Sequence, residues 1–255
     1  MPSHIYVLLG MYDQAAACNL EAIAADEKYV LKEGIHNCYT GYRIHNIHFV
    51  SYAAMFAGQY EVAMEAALQI RKNLPDNLLS NPFMAKYFEA FLSIEWHVLV
   101  RFGRWTDILS RPVPVSADSP PEGFLFPYTL AMQHYARGIA HAVLTGQVQQ
   151  EGEGEGDGSS LLAAERELAL LRSASVLVPA DRVMHNNTCQ ALLEVAEAML
   201  QGEIQYRGGG HAVAFDHLRE AIRLSDALVY DEPWGWYVQA VCVSVCKCFL
   251  YGDVA

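Results

Sequence analysis

An all-α fold is predicted by three observations. Apolar residues make up 53% of the 255 residues and charged residues only 18%, so the chain can bury a large core. Long segments carry apolar residues at helical spacing, and no convincing strand alternation competes with them. A short pattern also recurs four times: a glycine, a ring two residues on, then small or apolar residues at helical intervals.

The first occurrence is Gly10, Tyr12, Ala15, Asn19 and Ala22, and the second is Gly58, Tyr60, Ala63, Ala67 and Ile70. The third, shorter, is Gly103, Trp105 and Ile108, and the fourth is Gly209, His211, Ala214, Leu218 and Ala221. Glycine ends one helix because it enters the left-handed region without a Cβ penalty. The ring plugs the turn, and the small residues beyond it share one face of the next helix, where a neighbour can approach closely. Each unit therefore reads as an antiparallel helix pair. Helical apolar stretches precede the glycines at 45–57, 83–102, 127–145, 184–206 and 233–251, the last two entered at Met184 and Pro233. Asp231 and Glu232 before Pro233 suit the start of a final helix, since acids favour a helix N-terminus and proline its first position.

The segments LGMYDQAAACNLEAIAADEKY and AGQYEVAMEAALQIRKNLP resemble the second halves of tetratricopeptide repeats, with Pro75 at the closing proline position. HNIHFVSYAAMFAGQY, the opening MPSHIY and the late YDEPWGWY are similar to a group of long, uncharacterised proteins of that type. The resemblance implies a right-handed helix-pair solenoid of about five irregular repeats over 1–255, and a protein-interaction scaffold with a concave groove. Glycine markers at 10, 58, 103, 146, 209 and 252 lie farther apart than the usual ~34 residues. Pro112 and Pro114 cut the third unit short and open a Pro-rich connection over 111–127. The acidic, glycine-rich insertion 147–160 cannot bury apolar area and reads as a disordered loop. The first unit lacks most of its first helix and the last lacks its second. These truncated ends predict a fragment of a longer array, or ends covered by a partner or by self-association.

Net charge is −12, with 17 basic against 29 acidic residues. That argues against nucleic acid and against an anionic membrane surface. No secretory leader is evident, and the apolar stretch from Trp234 to Tyr251 is interrupted by Gln239 and Lys247. Six cysteines without a C-x-x-C pair read as reduced thiols in a cytoplasmic protein. No nucleophile elbow, phosphate loop or dinucleotide fingerprint occurs, so no catalytic residue and no cofactor is expected.

Histidines carry the strongest polar signal. His45 and His48 share one helix face at i, i+3. The tetratricopeptide alignment puts them, with His4 and His97, on the face that lines the groove. Two readings stay open: contact with a peptide or ligand, or internal hydrogen bonding. Metal binding at His45 and His48 is a weaker third, because no carboxylate spacing accompanies them. Arg43, Tyr52, Arg101 and His134 complete the candidate groove set, with His134 and His141 seven apart on one helix. The expected partner is a protein or peptide. The alternatives are a metal- or ligand-binding protein, possibly an enzyme, using the histidine row, and a structural segment of a larger chain.

Overall fold

The computed structural model describes residues 2–35, 37, 39–113, 126–150 and 159–237. They are mostly helical. The first helices in chain order are α1 (Pro2–Leu8), α2 (Tyr12–Glu33), α3 (Thr40–Phe56), α4 (Tyr60–Asn73) and the single turn α5 (Asp76–Leu79). Next come α6 (Pro82–Phe88), a 3-10 turn over Glu89–Ser93, α7 (Ile94–Arg101) and α8 (Trp105–Ser110). The last are α9 (Pro127–Gln150), α10 (Ser159–Val176), α11 (Cys189–Arg207) and α12 (His211–Asp226).

All four repeated motifs build the same joint. Gly10, Gly58, Gly103 and Gly209 have φ of 71°, 75°, 64° and 84°. The amide of the residue after each donates five residues back: Met11 to Tyr6, Gln59 to Ala54, Arg104 to Leu99 and Gly210 to Gln205, at 2.8–2.9 Å. This is the Schellman closure, which satisfies carbonyls that a helix end leaves open. The ring at the next helix's first position then reaches an aromatic neighbour. Tyr12 stacks on Phe56 at 5.2 Å, and Tyr60 meets Phe102 edge-on at 5.3 Å. Each of these rings ties its own unit to the end of the following unit's first helix. Ala15, Ala63, Ala67, Ile108, Ala214, Leu218 and Ala221 are buried, as the small-residue face requires.

Consecutive helices pack together from α1 to α4 and from α7 to α12. A second set of contacts joins α3 to α7, α7 to α9 and α9 to α11. The first helices of successive units thus form one face. Within the described residues no helix is long and apolar enough to cross a membrane.

Four local expectations are corrected. The stretch 83–102 is not one helix: Glu89–Ser93 tightens into the 3-10 turn, where the Glu89 carboxylate accepts a hydrogen bond from the Thr129 amide at 3.0 Å. α9 runs through Gly146 to Gln150, so the insertion begins later than 147. No ring follows two residues after Gly146, and an isolated glycine in a helix costs only ~1 kcal/mol against alanine. Residues 184–188 form a hairpin, not a helix start: β1 (Val183–Met184) pairs antiparallel with β2 (Asn187–Thr188). Thr188 then caps α11, its hydroxyl accepting from the Ala191 amide. Residues 231–237 are not helical either, because Asp231 and Glu232 pair elsewhere. Most of the Pro-rich connection (114–125), the core of the acidic insertion (151–158), Cys38, and the stretch 238–251 with Cys242, Cys246 and Cys248 lie outside the described residues.

Candidate functional site

The non-helical segment 229–237 returns across the face made by the first helices. Tyr237 is fully buried against His48 and Tyr52 of α3 and His97 of α7, at ring separations of 5.6, 5.7 and 4.5 Å. Trp236 meets His97 at 5.2 Å and Tyr135 of α9 at 5.5 Å. A side chain at Gly235 would press on Leu192 of α11. Hydrogen bonds hold the segment at its other end. Asp231 accepts from the Asn186 amide and from Asn187 Nδ2, and Asn187 also bridges to the Val229 backbone. Glu232 takes His4 Nδ1 at 2.5 Å.

This segment explains where the predicted groove residues stand. His48 and His97 are buried completely, and Tyr52 and His134 almost so. The chain's own 229–237 covers His48, Tyr52 and His97, so those three do not line an open groove. Arg43 is buried too: its guanidinium donates to Asn73 Oδ1 at 2.9 Å and to the Ile35 carbonyl at 2.5 Å. Arg101 is exposed and lies over the Phe56 ring at 5.0 Å. His134 stands apart from the row, bonded to Glu167 at 2.7 Å. Arg137 holds the same carboxylate at 2.7 Å. Burial would raise the Glu167 carboxyl, but these two hydrogen bonds and their charges outweigh it and hold it below its usual range. His141 lines the small cavity beside them.

The structure does bring His4, His45, His48 and His97 into one chain of rings, and adds His185, which sequence reasoning missed. His4 stacks on His45 at 5.4 Å, and His45 meets His185 edge-on at 5.8 Å. His185 stacks on His48 at 5.4 Å, with Nε2 of His185 3.3 Å from Nδ1 of His48. His48 Nε2 is hydrogen-bonded to the Tyr237 hydroxyl. When the phenol donates, His48 carries its proton on Nδ1 and points it at His185. His185 sits at the first position of the two-residue hairpin loop with φ of 52°, a region usually left to glycine.

Burial sets the electrostatics. It pushes His45 and His185 down to about 4 and His97 to about 3, and holds His48 well below the ordinary imidazole value; the neighbouring imidazoles push His45, His48 and His185 the same way. All four are neutral near pH 7. Burial also raises the phenols of Tyr52 and Tyr237. Neutral imidazoles are one-donor, one-acceptor groups suited to hydrogen bonding. Among the described residues no group of three or more His, Cys, Asp or Glu side chains is placed to hold a metal ion.

A pocket leads from solvent to His45 and His185. It measures about 410 Å³, is walled by Tyr42, Tyr87, Phe88 and Phe91, with Gly41, and is floored by the two histidines. Of its lining, Tyr42 and Tyr87 are exposed, as are their ring neighbours Tyr39 and Phe83. Tyr39 stacks on Tyr42 at 5.1 Å, and Phe83 meets Tyr87 at 5.1 Å. No family model matches the chain, and neither a curated protein nor a solved structure matches it.

Proposed function

We propose that the chain is a tetratricopeptide-like helical-repeat scaffold that docks a segment of a partner protein on the aromatic face at α3, α6 and the hairpin. The observation that carries this reading is the ring of exposed aromatics around the pocket. Tyr39, Tyr42, Phe83 and Tyr87 are each at least 40% exposed; Tyr42 and Tyr87 line one concavity, and Tyr39 and Phe83 pack on them. Tyrosines are enriched among residues that dominate binding energy, because they offer large contact area for two torsions. A contiguous apolar patch on a soluble surface marks an interaction site. The repeated Gly–ring joints support a repeat array, which presents such surfaces on a rigid frame. The reading includes no catalytic step. A cytoplasmic setting goes with it, given the free thiols of Cys18 and Cys189.

The test compares the full chain with Tyr42→Ala/Tyr87→Ala as affinity baits, with quantitative mass spectrometry of what each retains. Both side chains are at the surface, so the variant keeps its fold, checked by circular dichroism. Loss of at least tenfold enrichment of specific partners is expected. An unchanged set of retained proteins would sink the reading.

A further inference from the structure

The geometry points to a more specific occupant: the pocket floored by His45 and His185 receives a tyrosine side chain of the docked segment, its phenol hydrogen-bonded to a neutral imidazole. This deepens the docking reading and rests on it.

Four observations converge. The pocket's walls are aromatic rings and its volume, about 410 Å³, lies near the lower end of the ~300–1,000 Å³ of small-ligand sites. A single aromatic side chain is an occupant of suitable size. Among the described residues no acid, lysine or arginine lines it, so none of them compensates a charged ligand. The net charge of −12 disfavours an anion further. Besides the hydroxyls of Tyr42 and Tyr87, its polar groups are imidazole nitrogens with capacity to spare: among the described residues nothing hydrogen-bonds His45, and His185 is engaged only through Nε2, to His48. Burial keeps both rings uncharged.

The fourth observation is a precedent inside the molecule. One helical turn along α3 from His45, His48 already holds a phenol: the Tyr237 hydroxyl is bonded to its Nε2, with Tyr237 packed edge-on against Tyr52. The outer site repeats those parts, with His45 and His185 in place of His48 and the rings of Phe91 and Tyr87 in place of Tyr52. His185 joins the two sites, because it touches His48, His45 and Phe91. Its positive φ is what places its ring between them, a strained conformation of the kind found at ligand clamps.

Phenol recognition separates tyrosine from phenylalanine, because a site that hydrogen-bonds a hydroxyl is left with an unpaired polar group when the hydroxyl is missing. The probes are therefore N-acetyl-tyrosinamide, N-acetyl-phenylalaninamide and N-acetyl-leucinamide, titrated into the full chain at pH 7.5 and followed by chemical-shift perturbation. The tyrosine amide is expected to bind at least fivefold more tightly than the phenylalanine amide, with shifts at His45 and His185. In His45→Phe that preference should shrink to less than twofold while ring binding persists. Equal affinity for the tyrosine and phenylalanine amides, or an undiminished preference in His45→Phe, would overturn the proposal. So would equal affinity for leucine. The docking reading fails separately, by the retention of all partners on Tyr42→Ala/Tyr87→Ala.

Discussion

His185 is where a single residue costs and achieves most. A non-glycine residue in the left-handed region carries about 1 kcal/mol or more of strain, and the ring contacts with His45, His48 and Phe91 hold it there. The same rings make the protein acid-sensitive. His45, His48, His97 and His185 have depressed folded-state pKa values, so the unfolded chain binds protons that the native state excludes. Stability is then full above about pH 6.5 and falls as pH drops through that value toward 4. Glu89 acts the other way, since burial raises its carboxyl to about 7 and its contribution declines as pH rises from its ordinary value. Burial lowers the His141 imidazole in the same way and raises the Asp231 carboxyl as it does Glu89, so the lowered histidines outnumber the raised carboxyls and the melting temperature should drop between pH 6.5 and 4.5. A flat thermal-melt profile over that range would show that the rings are solvated. Arg182 gives a second prediction at this scale. It pairs with Glu89, which is fully buried and also holds the start of α9 through the Thr129 amide. Arg182→Met takes the cation from that carboxyl and, at pH 8 where Glu89 is ionised in the native pair, is expected to cost about 3 kcal/mol or more in urea denaturation.

Between elements, glycine does two separate jobs. At the four joints it supplies positive φ. At Gly202, inside α11, it supplies room: a Cβ there would lie 2.8 Å from the Leu218 side chain of α12. Gly202→Ala gains helix propensity, yet overpacking of about 1–3 kcal/mol should outweigh it, and chemical denaturation will show a net loss. The joints were legible because glycine, ring and small-residue face are local and each has its own reason. The hairpin was missed because its two-residue strands are too short for alternation to register. The residues His185-Asn186-Asn187-Thr188 did hold a signal, as asparagines favour turns and threonine an N-cap. A helix beginning at Cys189 follows from that reading. The start expected at Pro233 failed for a different reason. Asp231 and Glu232 satisfy the rule for a helix N-terminus, but Asn187 and His4, far away in sequence, claim both carboxylates. No local pattern encodes that competition.

Across the whole molecule, the return of 229–237 ties together helices that are far apart in the chain. Neighbour-only contacts would let units unfold one by one. Here the His4–Glu232 pair and the His48–Tyr237 bond join residues 228 and 189 positions apart. They connect α1 and α3 to a segment that also lies on α7, α9 and α11. The histidine row was readable from the sequence as a shared face; its burial was not, because what buries it comes from the other end of the chain. The closure should make unfolding cooperative, with tryptophan fluorescence and far-ultraviolet circular dichroism giving one common urea midpoint. Tyr237→Ala removes the central ring and the partner of His48 Nε2, which costs about 3–5 kcal/mol by analogy with other large aromatic truncations. In that variant the fluorescence of the four tryptophans, of which Trp236 adjoins the lost ring, should change at lower urea than helicity. Coincident midpoints in Tyr237→Ala would mean that the α-helical contacts alone enforce cooperativity. A native protein with separated midpoints would mean that the segment packs on the array without coupling its ends.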